Sequence, residues 1–200
     1  MIELATAVLK ETAKEGMKSS FREINKKMSP SELLSKGDKN GISADLNERS
    51  NIQKEVSEKN DINKNSDYSS KINENIRTTN ELQIYQNAGL EEGVVNDKII
   101  LKDNSIDPNL KDANGKTNLE LMEKGRAPID QYGEKYNLHH IGQKMDSPLA
   151  ELQGGEHRIY HSTLHDTSLD KSVIDRGAFD KERAAHWKER AVEIKEALNV

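Results

Sequence analysis

An α+β fold is predicted by three features of the sequence. Helix starts with matching cap residues recur at Thr78/Glu81 and Thr117/Glu120. Two short runs, 136–141 and 149–152, are separated by turn residues. A long stripe of apolar residues closes the chain. Hydrophobic residues make up 33% of the 200, charged residues 32% and aromatics 4%. Such a chain fills one small core and leaves much polar sequence outside it.

In chain order, Ile2, Ala5, Leu9, Met17, Phe21, Ile24 and Met28 recur at helical spacing, with Gly16 weakening the middle. Ser29-Pro30-Ser31-Glu32 is a helix start and Gly37 a stop, so 1–37 reads as an amphipathic helical segment. Its apolar face is expected to pack on protein rather than on a membrane. From 38 to 77, Asn, Lys, Ser, Glu and Asp dominate and isolated isoleucines lack partners. That segment reads as a polar flexible linker, disordered or loosely helical.

The folded domain is expected over 78–200. Thr78 and Glu81 open a helix with Leu82, Tyr85 and Ala88 on one face, and Gly89 ends it. Val94-Val95, Asn96-Asp97 and Lys98-Ile99-Ile100-Leu101 form a hairpin pattern. Thr117 and Glu120 open a second helix that Gly125 closes. Trp187, Ala191, Ile194 and Leu198 give the last helix its core stripe.

Five of the six histidines fall between 136 and 165. Imidazole is a common transition-metal ligand and titrates close to neutral pH. Residues 136–141 read as a short strand, so His139 and His140 point to opposite faces. Gly142 to Pro148 is turn chemistry, Leu149-Ala150-Glu151-Leu152 returns as a strand, and Glu156 begins a helix. On that helix His157, His161 and His165 are four apart and share a face. Strand, turn, strand and helix make a frame able to hold one metal ion. His186 reads as a surface or hydrogen-bonded residue.

This stretch resembles the LHH nucleases of the HNH/endonuclease VII superfamily, whose triplet is Leu138-His139-His140 here. The likeness runs back through Asn118 to Ile129 and forward through Pro148 to Leu152, Glu156-His157 and Leu164-His165. More faintly it includes Ile174-Asp175-Arg176 and Phe179, with a lead-in between Tyr85 and Asp112. The resemblance implies a ββα-metal (His-Me finger) core with flanking helices, behind a helical and largely disordered N-terminal region.

It also implies an endonuclease that cuts phosphodiester bonds with one divalent metal ion, of which Mg, Mn, Ni and Zn are the candidates. His139 matches the strand ligand, His140 the general base, and His157 with His165 or His161 the later ligands. Arg126 is a candidate phosphate clamp or a solvated side chain after a helix end; Arg158 and Gln143 are candidate substrate contacts. A structural zinc site is the competing reading, weakened by the absence of Cys, which closed zinc sites favour.

With 30 Lys and Arg against 35 Asp and Glu, the chain carries a net charge of −5. That argues against tight non-specific duplex binding, though not against a local cationic groove. No apolar run reaches membrane-spanning length, and no signal-peptide pattern opens the chain. The expected role is the toxin domain of an interbacterial competition system, with DNA favoured over RNA and a cognate immunity protein as partner. It would act in the cytoplasm, after export by a specialised secretion system. The alternatives are a housekeeping or phage-type HNH nuclease, or a zinc-stabilised binding module without catalysis.

Overall fold

The computed structural model describes residues 39–165 and 174–199. The helical segment expected over 1–37 lies outside the described residues. The chain divides into units 1–53 and 54–200. In the first, only the opening turns of helix α1 (Lys39–Asn65) are described.

The second unit begins earlier than residue 78. It includes the end of α1, α2 (Ser70–Asn73) and α3 (Thr79–Asn87). Ile62, Ile72 and Ile76 are fully buried, which corrects the expectation of isoleucines without partners. Their partners come from distant elements, among them Leu82, Tyr85, Leu101 and Leu152, so no local periodicity reveals them. The Lys59 ammonium ties α1 to the carbonyls of Glu74, at 3.0 Å, and Ile76.

The Thr78 hydroxyl caps α3, accepting from Glu81 N at 3.1 Å. The expected reciprocal half is replaced. Glu81, fully buried, instead accepts from Arg77 N at 2.9 Å and from the Tyr85 hydroxyl at 2.7 Å. At Thr117 and Glu120 both halves of the capping box form, opening α4 (Asn118–Glu123).

Strands β1 (Glu91–Val95) and β2 (Lys98–Lys102) pair around Asn96 and Asp97, whose φ of 50° and 61° suits a tight hairpin turn. β3 (Asn137–His140) and β4 (Leu149–Leu152) form the second hairpin. The two join through Leu101 beside Ala150, in parallel, giving the order β1-β2-β4-β3. β3 is therefore an edge strand.

Helix α7 (Arg176–Leu198), capped by the Asp175 carboxylate, packs on one face of the sheet. Trp187 and Ala191 join Tyr136, Leu138 and Leu149 there; Leu198, expected on the same stripe, is half exposed. The other face carries α3, Ile141, Leu164 and the isoleucines of α1 and α2. Gly125, with φ of 70°, ends the turn after α4 where Ala184 of α7 leaves no room for a Cβ.

Candidate active site

The pleat of β3 decides where its two histidines go. His139 pairs with Ala150 and His140 with Leu149. Ala150 belongs to the core of the first face and Leu149 to the core under α7. Adjacent side chains of a strand point oppositely, so His139 and His140 sit on different faces.

On the first face His139 meets His157 and His165. The three offer ligand atoms that all lie within 4.8 Å of one another. Their ring centroids are 5.0 to 5.5 Å apart. The histidines after β4 do not share one helix face. α5 (Gly154–Ile159) ends at Tyr160, α6 (His161–Leu164) follows, and His165 is extended at φ −120°, ψ 134°. This break corrects the expected single helix. It turns His165 in towards His139 and leaves His161 exposed, stacked on the His165 ring at 4.4 Å and outside the trio.

The trio fits a metal ion. His139 is 3% exposed, yet its Nε2 has no hydrogen-bond partner. Leaving such a nitrogen unpaired costs free energy unless something occupies it. His157 Nε2 and His165 Nε2 are 3.2 Å apart, and two nitrogens about 2.1 Å from one tetrahedral ion lie roughly 3.4 Å apart. Burial pushes the His139 pKa well below its usual value, with the neighbouring histidines adding to the effect. Burial also lowers His157, and it lowers His165 to about 4 with help from His157, His161 and Arg77. All three are neutral near pH 7, the charge state a cation needs of its imidazole ligands.

On the α7 face, His140 is 5% exposed and packs against the Phe179 ring at 4.5 Å. Its Nε2 faces a Glu182 oxygen at 3.7 Å, and Glu182 also pairs with Lys98. Burial lowers the His140 pKa while Glu182 opposes the shift. The imidazole is thus neutral and able to accept a proton near pH 7.

The remaining predicted residues are placed elsewhere. Arg126 is exposed, its charge acting on Asp112. Arg158 is held by both oxygens of Glu134, at 3.0 and 2.9 Å. Gln143 stands behind the trio, its amide 3.1 Å from His165 Nδ1. His186 is buried and bonded to Glu151 at 2.7 Å.

Sequence reasoning missed Arg77 and Glu151. Arg77 donates to Gln143 Oε1 at 3.0 Å and to the carbonyls of Thr163 and Leu164 at 3.1 and 2.9 Å. It thereby fixes the turn that ends at His165. Glu151, fully buried, accepts from His186, from Arg190 at 2.9 Å and from Asp103 N at 2.8 Å. A carboxylate inside an apolar strand is a signal for such a network; Arg77 carries none.

Residues 117–193 match the model of the family LHH, described as a nuclease of the HNH/ENDO VII superfamily with conserved LHH. The matched segment holds all six histidines and ends within α7. No solved structure matches the chain.

Proposed function

Because residues 117–193 carry an LHH nuclease domain of the HNH/ENDO VII superfamily, a hydrolase of phosphodiester bonds, we propose that this chain is a metal-dependent endonuclease centred on β3. The orphaned His139 Nε2 beside His157 and His165 is the observation that carries the reading. His139, His157 and His165 would hold a divalent ion, three being the number of protein ligands that catalytic rather than structural sites use. A divalent ion bound there supplies Lewis-acid stabilisation of charge on the phosphoryl and leaving oxygens. Of Mg, Mn, Ni and Zn, an all-imidazole set favours Zn or Ni over Mg.

His140 is the general base, taking a proton from the attacking water. His140 lies on the opposite face of β3 from the trio, against Phe179. Glu182 faces the His140 ring at 3.7 Å, a carboxylate that would stabilise the imidazolium once the proton is taken. Arg158 is occupied by Glu134, and Arg126 is left as an outer phosphate contact.

The substrate is nucleic acid, with DNA proposed over RNA. The wider role proposed is that of an interbacterial toxin acting in the cytoplasm of a target cell, with an immunity protein guarding the producer. Among the described residues no helix is long and apolar enough to cross a membrane.

Purified protein is incubated with supercoiled plasmid and with RNA in each of the four metals. Cleavage of plasmid that disappears in His139→Ala, together with its bound metal, supports the reading. Retention of metal and cleavage in that variant would overturn it. His140→Ala keeps the metal and slows cleavage by about 10²- to 10⁴-fold if general-base help is lost.

A further inference from the structure

We propose that Gln143, gripped by Arg77, sets the proton position on His165 and thereby controls how tightly the site takes its metal. The inference rests on the metal site proposed above and adds a control element to it. Arg77 lies outside the matched segment 117–193, and nothing in the LHH triplet points to it.

A guanidinium only donates. Arg77 Nη1 lies 3.0 Å from Gln143 Oε1, so the amide oxygen must face Arg77 and the amide nitrogen must face away from it. That nitrogen sits 3.1 Å from His165 Nδ1. An N–H donating there occupies the Nδ1 lone pair. The neutral ring then carries its proton on Nε2, the atom 3.2 Å from His157 Nε2. A protonated Nε2 cannot ligate.

The chain of bonds therefore runs from Arg77 through Gln143 and His165 to His157. It aims the His165 ring into the trio while holding it in the non-ligating tautomer. Ligation through Nε2 requires the proton on Nδ1, where only an acceptor can receive it. Gln143 has one side-chain acceptor, its oxygen, and Arg77 holds it.

The backbone supports a functional reading of this turn. Ile141–Gln143 form a tight turn kinked at its centre, where Gly142 has φ of 73° and Gln143 has φ of 60°. A left-handed conformation is costly for a residue with a side chain and persists where the surroundings enforce it. Gly142 passes so close to the Asn75 carbonyl that a Cβ would lie 2.5 Å from its oxygen. Arg77, two residues on from Asn75, is itself anchored by Glu81 at 3.5 Å and by the carbonyls of Thr163 and Leu164. The amide is placed from both sides.

Gln143→Glu is the informative substitution. A carboxylate accepts from Arg77 and from an Nδ1–H at once, which frees Nε2. Such carboxylate–histidine pairs typically alter metal affinity by about 10- to 100-fold. Two measurements on the full chain test the proposal. Long-range ¹H–¹⁵N spectra of the imidazoles, without metal at pH 7, should show His165 with its proton on Nε2 in the parent and on Nδ1 in Gln143→Glu. Competition with a chromophoric chelator should show Zn²⁺ bound at least about tenfold more tightly by Gln143→Glu.

A parent His165 protonated on Nδ1 overturns the proposal. So does a Gln143→Glu protein whose Zn²⁺ affinity is unchanged or weaker. If that variant does not fold, the parent spectrum alone decides. His139→Ala serves as the control for the underlying reading. Unaltered Zn²⁺ affinity in that variant removes the trio as the metal site, whereas the parent spectrum tests the tautomer whatever the metal does.

Discussion

Residues 117–165 and residues 54–116 contribute to one fold in different ways. The first stretch holds the candidate metal trio, the candidate base and the capping box of α4, each built within 26 residues of sequence. The second holds no candidate ligand or base, yet it supplies Ile62, Ile72 and Ile76 to the core and Arg77 to the turn behind His165. The chemistry is local and the support is remote. Residues that touch a reacting group must recur in a recognisable order, whereas residues that hold them need only arrive from somewhere.

The sharpest way to break this comparison is to remove the remote stretch. A chain beginning at Asn75 lacks Ile62, Ile72 and the Lys59 tie. Losing a buried isoleucine side chain costs about 2–5 kcal/mol, against a total stability of about 5–15 kcal/mol. This truncation is expected to lose its cooperative urea transition, measured by circular dichroism. A chain beginning at Lys54 is expected to keep it. A stable, active fragment from Asn75 would show that the isoleucines are dispensable.

Glu151→Gln tests whether support from the α7 side matters as much. Removing one member of a buried charge network costs up to about 3–5 kcal/mol, and here less, because Arg190 keeps Glu193 at 2.7 Å and the Asp103 carbonyl at 3.1 Å. The urea midpoint should fall while Zn²⁺ affinity of the folded protein is kept. Loss of metal binding at native stability would place Glu151 in the site.

Acid sharpens the comparison more gently. The trio's folded pKa values lie below the unfolded value of about 6.5. Near pH 7 the imidazoles are neutral in both states. As pH falls below about 6.5 the unfolded chain takes up protons that the folded trio refuses, His165 until about 4. Stability of the metal-free protein should therefore decline between about pH 6.5 and pH 4. Equilibrium unfolding at a series of pH values checks it, and a flat profile would remove the burial assigned to the trio.

The smallest effects are expected at the exposed arginines. Arg158→Ala breaks a solvent-exposed pair with Glu134 and should leave the melting curve where it is. Arg126→Ala should lower cleavage far less than His140→Ala in the plasmid assay. A loss of comparable size would return Arg126 to the phosphate.

The same contrast explains how much the sequence reveals. The Asn96-Asp97 turn, the Thr117/Glu120 box and the strand–turn–strand of the histidines are short-range patterns, and each stands in the structure. His139 and His140 separate onto two faces as a strand requires. The break at Tyr160 is less legible, since residues 154–164 carry no proline and their helical spacing is unbroken on paper. The join between the hairpins rests on Leu101 meeting Ala150, which no local pattern encodes. Glu81 shows the limit from the other side: its spacing from Thr78 is right, but burial gives its carboxylate to Tyr85 and Arg77 instead.

The bonds around Glu151 also set a timetable. Its carboxylate reaches Asp103 N across 48 residues and Arg190 across 39, while the span from His139 to His165 is 26. Long loops cost more entropy to close before their contacts repay it. The imidazoles can therefore gather while α7 is still undocked. The only tryptophan, Trp187, rides on α7 next to His186 and is fully buried once that helix lands. In a refolding experiment, quenching of a metal-sensitive dye should precede the change in Trp187 fluorescence, and the interval between them times the arrival of the last helix.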